Sequence, residues 1–143
     1  MSIHQISVFL ENRTGELAQI TRKLADKNID IRAISIAETS DYGIARMIVN
    51  DCSAAASILL EQGTILSMTP VWAVEVPDRP AGLADLLAAL AQENIAVEYM
   101  YSLFTNKDGH AYMVLRISDE PAFLAAMEKN NIQVVGNDIL GLK

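Results

Sequence analysis

The sequence repeats itself. Residues Val8 to Asn50 and Val74 to Arg116 align at a constant offset of 66 positions, and 12 of these 43 pairs are identical, among them Arg13/Arg79, Leu17/Leu83, Asn28/Asn94, Ile29/Ile95, Gly43/Gly109 and Met47/Met113. Past the second helix of each copy the offset grows to 67, so that residues 60–65 meet 127–132. Whatever unit the first half folds into, the second must fold into as well. The chain therefore predicts two domains, residues 1–70 and 71–143, able to pack with pseudo-twofold symmetry and to carry two equivalent grooves.

Each copy reads as strand, helix, strand, strand, helix, strand. In the first, Ile6, Val8 and Leu10 alternate with Ser7 and Phe9, the period of two that marks a strand. The period then changes: Leu17, Ile20, Leu24 and Ala25 recur at helical spacing from about Gly15 to Lys27, and Asn28 ends the helix. Ile29 and Ile31 lead into the apolar run 33–37, and the turn residues Ser40, Asp41, Tyr42 and Gly43 lead back along Ile44 to Val49 as a hairpin. Ser53 is the expected cap of a second helix over Ala54 to Gln62, with Gly63 as its stop and Thr64 to Thr69 as the closing strand. The second copy gives Trp72 to Val76, a helix from Gly82 to Glu93, Ile95 to Phe104, Ala111 to Ile117, a helix after Asp119, and Ile132 to Val135. A βαββαβ order is the ferredoxin-like split βαβ unit of the α+β class, an antiparallel four-stranded sheet with helices on one face. Two such units can join sheet edges side by side, the arrangement expected here, or pack back to back. The absence of a Gly/Ser-rich linker between Ser67 and Trp72 favours docked halves, and Pro70 argues against an uninterrupted central strand there.

Composition narrows the function classes. The net charge of −7 divides into six basic and eight acidic residues before position 71, and five and ten after it. Nucleic-acid binding, which needs clustered cations to displace counterions, is not expected. No apolar stretch reaches the ~18 residues of a membrane span, and the N-terminus lacks a signal-like segment, so a cytoplasmic protein is expected. With one cysteine, Cys52, and two distant histidines, His4 and His110, no zinc spacing or disulfide framework can form within the chain. No metal and no cofactor are expected. Cys52, just before a helix, could be a low-pKa thiol or a small structural residue. His110, aligned with Ile44, reads as a strand-surface residue.

The chemistry gathers at the turn after each first strand. In copy one this is Leu10-Glu11-Asn12-Arg13-Thr14-Gly15-Glu16-Leu17, and in copy two Val76-Pro77-Asp78-Arg79-Pro80-Ala81-Gly82-Leu83. A turn that opens a helix presents free backbone N–H groups and the positive end of the helix dipole, which accept a carboxylate. Gly15 allows close approach, and Asn12 can bridge carboxylate and ammonium through its amide. Asp30, on the second strand with Ile34, could balance a ligand ammonium. The strand Glu98-Tyr99-Met100-Tyr101 holds two of the four tyrosines; at least one is expected on the sheet's helix-covered side, and alternation offers either the tyrosines or Glu98 and Met100 to a groove. The ordinary readings are Asx-turns for Asn12 and Asp78, surface ion pairs for Arg13 and Arg79, and helix core for Leu17 and Leu83.

These loops, with Asn28-Ile29 and Asn94-Ile95 entering the second strands, resemble the ACT domain, whose loop pattern is close to Asn-Arg-Pro-Gly-x-Leu. Copy one has Thr14 in the Pro place; copy two has Asp78 and Ala81 in the Asn and Gly places. The resemblance covers the chain twice and implies a stand-alone, non-catalytic regulatory protein that binds a free amino acid at the interface between ACT domains. It also implies that the second strand lies opposite the loop of a neighbouring module, and that the chain is a homodimer. On that basis Leu10, Asn12, Arg13, Thr14, Gly15, Glu16, Leu17, Asp30, Ile34, Asp78, Ala81, Gly82, Leu83, Glu98, Tyr99, Met100 and Tyr101 are candidate ligand-binding residues. The alternatives are a ligand-independent regulatory subunit of an amino-acid-metabolic enzyme, and a small enzyme. For the last there is no Ser-His-Asp set, Cys-His pair or phosphate-cradling glycine loop.

Overall fold

The computed structural model describes residues 1–11, 13–38 and 41–143, and for Asn106 only the backbone. Asn12 and Ser40, both singled out in the sequence, lie outside the described residues. In chain order the elements are β1 (Ile3–Glu11), α1 (Glu16–Asp26), β2 (Ile31–Glu38), β3 (Tyr42–Val49), α2 (Cys52–Glu61), β4 (Leu66–Pro77), α3 (Gly82–Gln92), β5 (Val97–Lys107), β6 (His110–Ile117), α4 (Glu120–Lys129), β7 (Val134–Val135) and the short α5 (Asn137–Leu140). They form two compact units, His4–Pro70 with Gly141–Lys143, and Val71–Leu140 with Met1–Ile3. Among the described residues no helix is long and apolar enough to cross a membrane.

The first unit has the strand order β2-β3-β1, followed by the start of β4. Its ladders are antiparallel, with Met47 of β3 opposite both Ile6 of β1 and Ile34 of β2. The Phe9 N–H donates to the Ile65 carbonyl at 2.9 Å, where the chain enters β4. Ile6, Val8 and Leu10 of β1 and Met47 and Val49 of β3 face Ile20 and Leu24 of α1 and Ala55 and Leu59 of α2 in one core. The alternation read from the sequence thus places the apolar set of β1 under the helices. Residues of the opposite set are buried too: Gln5 donates from Nε2 to Ser7 Oγ at 3.1 Å.

The second unit has the order β5-β6-β4-β7, again antiparallel throughout. Val74 and Val76, Leu115 and Ile117, Leu86 and Leu90, and Phe123 and Met127 make its core, with Trp72 packed on Phe123 at 5.6 Å between ring centroids. Both units are therefore ferredoxin-like α+β modules. Helix boundaries follow local chemistry: Asn28, Asn94 and Asn131 take positive φ just past their helices, as does Gly63, the left-handed stop that Asn and Gly adopt most cheaply.

Several details differ from the sequence reading, the first being that β4 runs through Pro70 without a break. Helix α2 is capped by Asp51, whose carboxylate accepts the Ala54 N–H at 3.0 Å. Ser53 is already inside the helix. Asp119 caps α4 in the same way through Ala122. The offset between copies is 66 for the first strand but 68 from the third strand onward: Ile6 faces Met47, whereas Trp72 faces Leu115. Gly43 and Gly109, and Met47 and Met113, are thus identical in sequence without being structural counterparts. The extra residues enter where the β5–β6 register shifts between Ser102 and Asn106. The 67-residue slip is also replaced by 68, since Gly63 and Asn131 hold equivalent turns. His110 consequently takes the place of Tyr42, not of Ile44. Cys52 is buried, and burial together with the neighbouring Asp51 charge pushes its thiol pKa up. It is a small core residue, not an activated thiol.

Candidate functional site

Strand β1 ends at Glu11, and the chain turns at once into α1. The Arg13 N–H donates to the Glu11 carbonyl at 2.8 Å. Gly15 stands at the helix N-cap with φ +86°; the Glu16 N–H reaches the Arg13 carbonyl at 3.4 Å, and among the described residues no side chain caps the N–H groups that follow. The second unit builds the same turn, with Arg79 N–H on the Pro77 carbonyl at 3.0 Å and Ala81 at φ +75°. A left-handed alanine costs roughly 1 kcal/mol. The turn is thus formed in both copies even where the residue type resists it.

Charge is concentrated beside this turn. Arg13 Nε lies 3.1 Å from Glu11 Oε2 and 3.5 Å from Glu16 Oε2, and Glu16 Oε1 accepts the Glu11 N–H at 3.3 Å. Because Arg13 and Glu11 are exposed, these pairs set orientation more than stability. Behind them a cleft of about 540 Å³ opens between the end of β1, one side of α1 and the turn from α2 into β4. Phe9, Leu10 and Glu11, then Glu16, Gln19, Ile20 and Lys23, then residues 62–65, with Tyr42, form its walls.

The second unit repeats the cleft at about 240 Å³. Each of its lining residues is the counterpart of one in the first: Glu75, Val76, Pro77, Arg79, Gly82, Asp85 and Leu86 at the offset of 66, and Asn130, Asn131 and Ile132 at 68. The duplication is therefore one of cavities as well as of secondary structure. A family model described as an ACT domain pair matches residues 1–141. The chain belongs to this family.

Solved structures agree with that assignment. Protein BT0572 from Bacteroides thetaiotaomicron is 33% identical to this ACT pair, with a TM-score of 0.90 over 99% of this chain and 96% of that one. The regulatory subunit of aspartate kinase from Thermus thermophilus, in its ligand-free form, shares the fold at 16% identity and a TM-score of 0.66, covering 89% and 91% of the two chains. Aspartate kinase from Synechocystis matches at 25% identity and a TM-score of 0.56 over 98% of this chain, which spans 26% of that longer one. No curated protein matches this chain.

Within the ACT pair the candidate residues divide. Leu10, Arg13 and Glu16 line the first cleft, and Thr14 joins Arg13, Glu16 and Gln19 around a smaller hollow on the turn. Gly15 shapes the turn, while Leu17 packs on the core. Asp30 lies on the other side of α1 with Ala18, Thr21 and Arg22, its carboxylate 3.0 Å from Arg32, and Ile34 packs on the core. In the second unit Gly82 lines the smaller cleft, with Asp78 and Ala81 on the turn that precedes it. Leu83 is 43% exposed; α3 turns Leu86 and Leu90 inward instead, so the core role read for Leu83 is corrected. Met100 packs under the helices, which sends Tyr99 and Tyr101 to the sheet's other face, stacked at 6.5 Å. That reverses the expectation of a tyrosine on the helix-covered side. Glu98 pairs with Arg116 at 3.3 Å.

Gln19, Lys23, Tyr42 and the turn 62–65 belong to the cleft and were missed in the sequence. Their contribution is tertiary, since the turn is some 40 residues from α1 in the chain. Comparing the copies position by position would have raised Lys23, which corresponds to Ala89 in the second copy. Among the described residues no three acidic, His or Cys side chains come together as a metal site.

Proposed function

We propose that this ACT pair is a cytoplasmic, non-catalytic regulatory protein that binds a free amino acid, with the helix-opening segment of the first unit as its anchor. The observation that carries this reading is the start of α1 at Gly15, without a side-chain cap among the described residues and placed beside a cleft with both cations and carboxylates. An amino acid presents a carboxylate for free N–H groups and an ammonium for acidic side chains, and Glu11 and Glu16 stand at that end of the cleft. The matching portion of the Synechocystis aspartate kinase, a longer chain, supports a regulatory role linked to an enzyme, and an amino-acid-metabolic enzyme is the proposed target class.

Thermal-shift screening of the twenty amino acids tests the reading. A true effector at ~100 times its dissociation constant adds about 2.7 kcal/mol to the folded state, and no stabilisation by any of them would refute it. The first unit should hold the better site, because its turn is permissive glycine and its cleft is larger. In calorimetry, Gly15→Val should weaken binding by about tenfold, through strain at φ > 0 and a blocked approach, whereas Asp78→Ala should change it little. The opposite order would place the site in the second unit.

The resemblance to ACT domains further implies a homodimer, in which a neighbouring module can come from the partner copy. Static light scattering should give about twice the 15.6 kDa of one chain. A monomeric mass across micromolar concentrations would contradict it.

A further inference from the structure

The two clefts are built from corresponding residues but differ in charge. In the first, Arg13 is held by Glu11 and Glu16, and the remaining cation is Lys23, half-buried and without an ion pair among the described residues. In the second, Lys23 is replaced by Ala89, Gln19 by Asp85 and Phe9 by Glu75. The Asp85 carboxylate there faces Arg79 at 3.7 Å.

A half-buried lysine with no ion pair among the described residues can take an anion, and the apolar walls Phe9 and Ile20 strengthen any charge pairing made against them. Position helps to decide which anion. Lys23 is seven residues beyond Glu16 on α1, a rise of about 10 Å. Side chains on a helix lean back toward its N-terminus, so the Lys23 stem spans much of that distance. Both residues line one cleft, with Gln19 between them. An amino acid whose own carboxylate and ammonium are held at the turn would thus extend its side chain along Gln19 toward Lys23.

We propose that the first cleft selects an amino acid with an anionic side chain, and that Lys23 is the specificity-determining residue that reads the side-chain carboxylate. This rests on the amino-acid-binding reading above. The second cleft, with Asp85 and Glu75 and no lysine, repels the same ligand, so each chain takes one.

The test is titration calorimetry of the full chain with L-glutamate, L-aspartate and their amides L-glutamine and L-asparagine, on the wild type and Lys23→Gln. The wild type should prefer at least one acid over its amide by about tenfold, as loss of a charge-assisted contact implies, with about one molecule bound per chain. Lys23→Gln should erase that preference while leaving amide binding and the melting temperature nearly unchanged. An amide or another neutral amino acid binding as tightly as the acids, or a preference that survives Lys23→Gln, overturns the selectivity and leaves the broader reading standing. No saturable binding by any of the twenty amino acids overturns both.

Discussion

Phe123→Ala should remove about 4 kcal/mol of stability, the usual cost of emptying a buried aromatic site. Phe123 is fully buried, anchors α4 to the sheet, and packs against Trp72, with ring planes tilted by 37°. The alanine would lose both the transfer energy of the ring and the aromatic contact, and a 70-residue module cannot collapse far enough to refill the space. The first unit gives an internal comparison: at the structural offset of 68 the counterpart of Phe123 is Ala55, itself fully buried, and the counterpart of Trp72 is Ile6. Smaller groups stand at both positions of that core, so the Trp72–Phe123 pair has no counterpart there. Urea unfolding followed by the fluorescence of Trp72, the only tryptophan, reports on this site directly. A loss below ~1 kcal/mol would mean that the core relaxes around the gap.

Gly82→Ala should cost about 3 kcal/mol or displace the turn that opens α3. A Cβ at Gly82 would sit 2.0 Å from the Pro77 carbonyl oxygen and 3.2 Å from its carbon. Both are backbone atoms, held in place because the same oxygen accepts the Arg79 N–H at 3.0 Å. The requirement is steric contact and not φ, since Gly82 lies in the regular helix. The corresponding position in the first unit is Glu16, a residue with a full side chain, so the two turns share their hydrogen-bond pattern but not their closest approach. Urea titration of Gly82→Ala against the wild type measures the cost. A midpoint within error of the wild type would show that Pro77 can move freely.

Much of the fold was legible because local signals agreed with tertiary need. The period-two set Ile6, Val8 and Leu10 and the helical set Leu17, Ile20 and Leu24 pointed to the faces that are buried, and Asn28 and Gly63 marked helix ends that take positive φ. Where two residues could play one part, the sequence was a poorer guide. Asp51 and Ser53 are both good caps, and only the backbone direction leaving β3 decides that Asp51 reaches the Ala54 N–H. One tyrosine at least of Tyr99 and Tyr101 was expected on the covered side, yet the pleat puts Met100 under the helices and both rings on the other side. The candidate site was half legible. Leu10, Arg13, Thr14 and Glu16 sit in one loop whose pattern speaks for itself. Gln19 and Lys23 read as an ordinary solvated helix face, and become a cleft wall only because the distant turn 62–65 rises opposite them.

The change of offset from 66 to 68 inside the second hairpin has a bearing on how this chain can vary in length. Side chains on a strand alternate between faces, so a register change of one residue would have turned the inward set of β6, Leu115 and Ile117, away from α3 and α4. Two added residues leave every face as it was and displace only the tip of the hairpin, where Gly109 makes the turn at φ +74°. An even-numbered change at this hairpin therefore needs no repair, whereas the one-residue offset between Val97 and Tyr99 at the start of β5 is absorbed by a bulge. A crossover between the two modules at this hairpin keeps both faces when the residues it adds or removes are even in number.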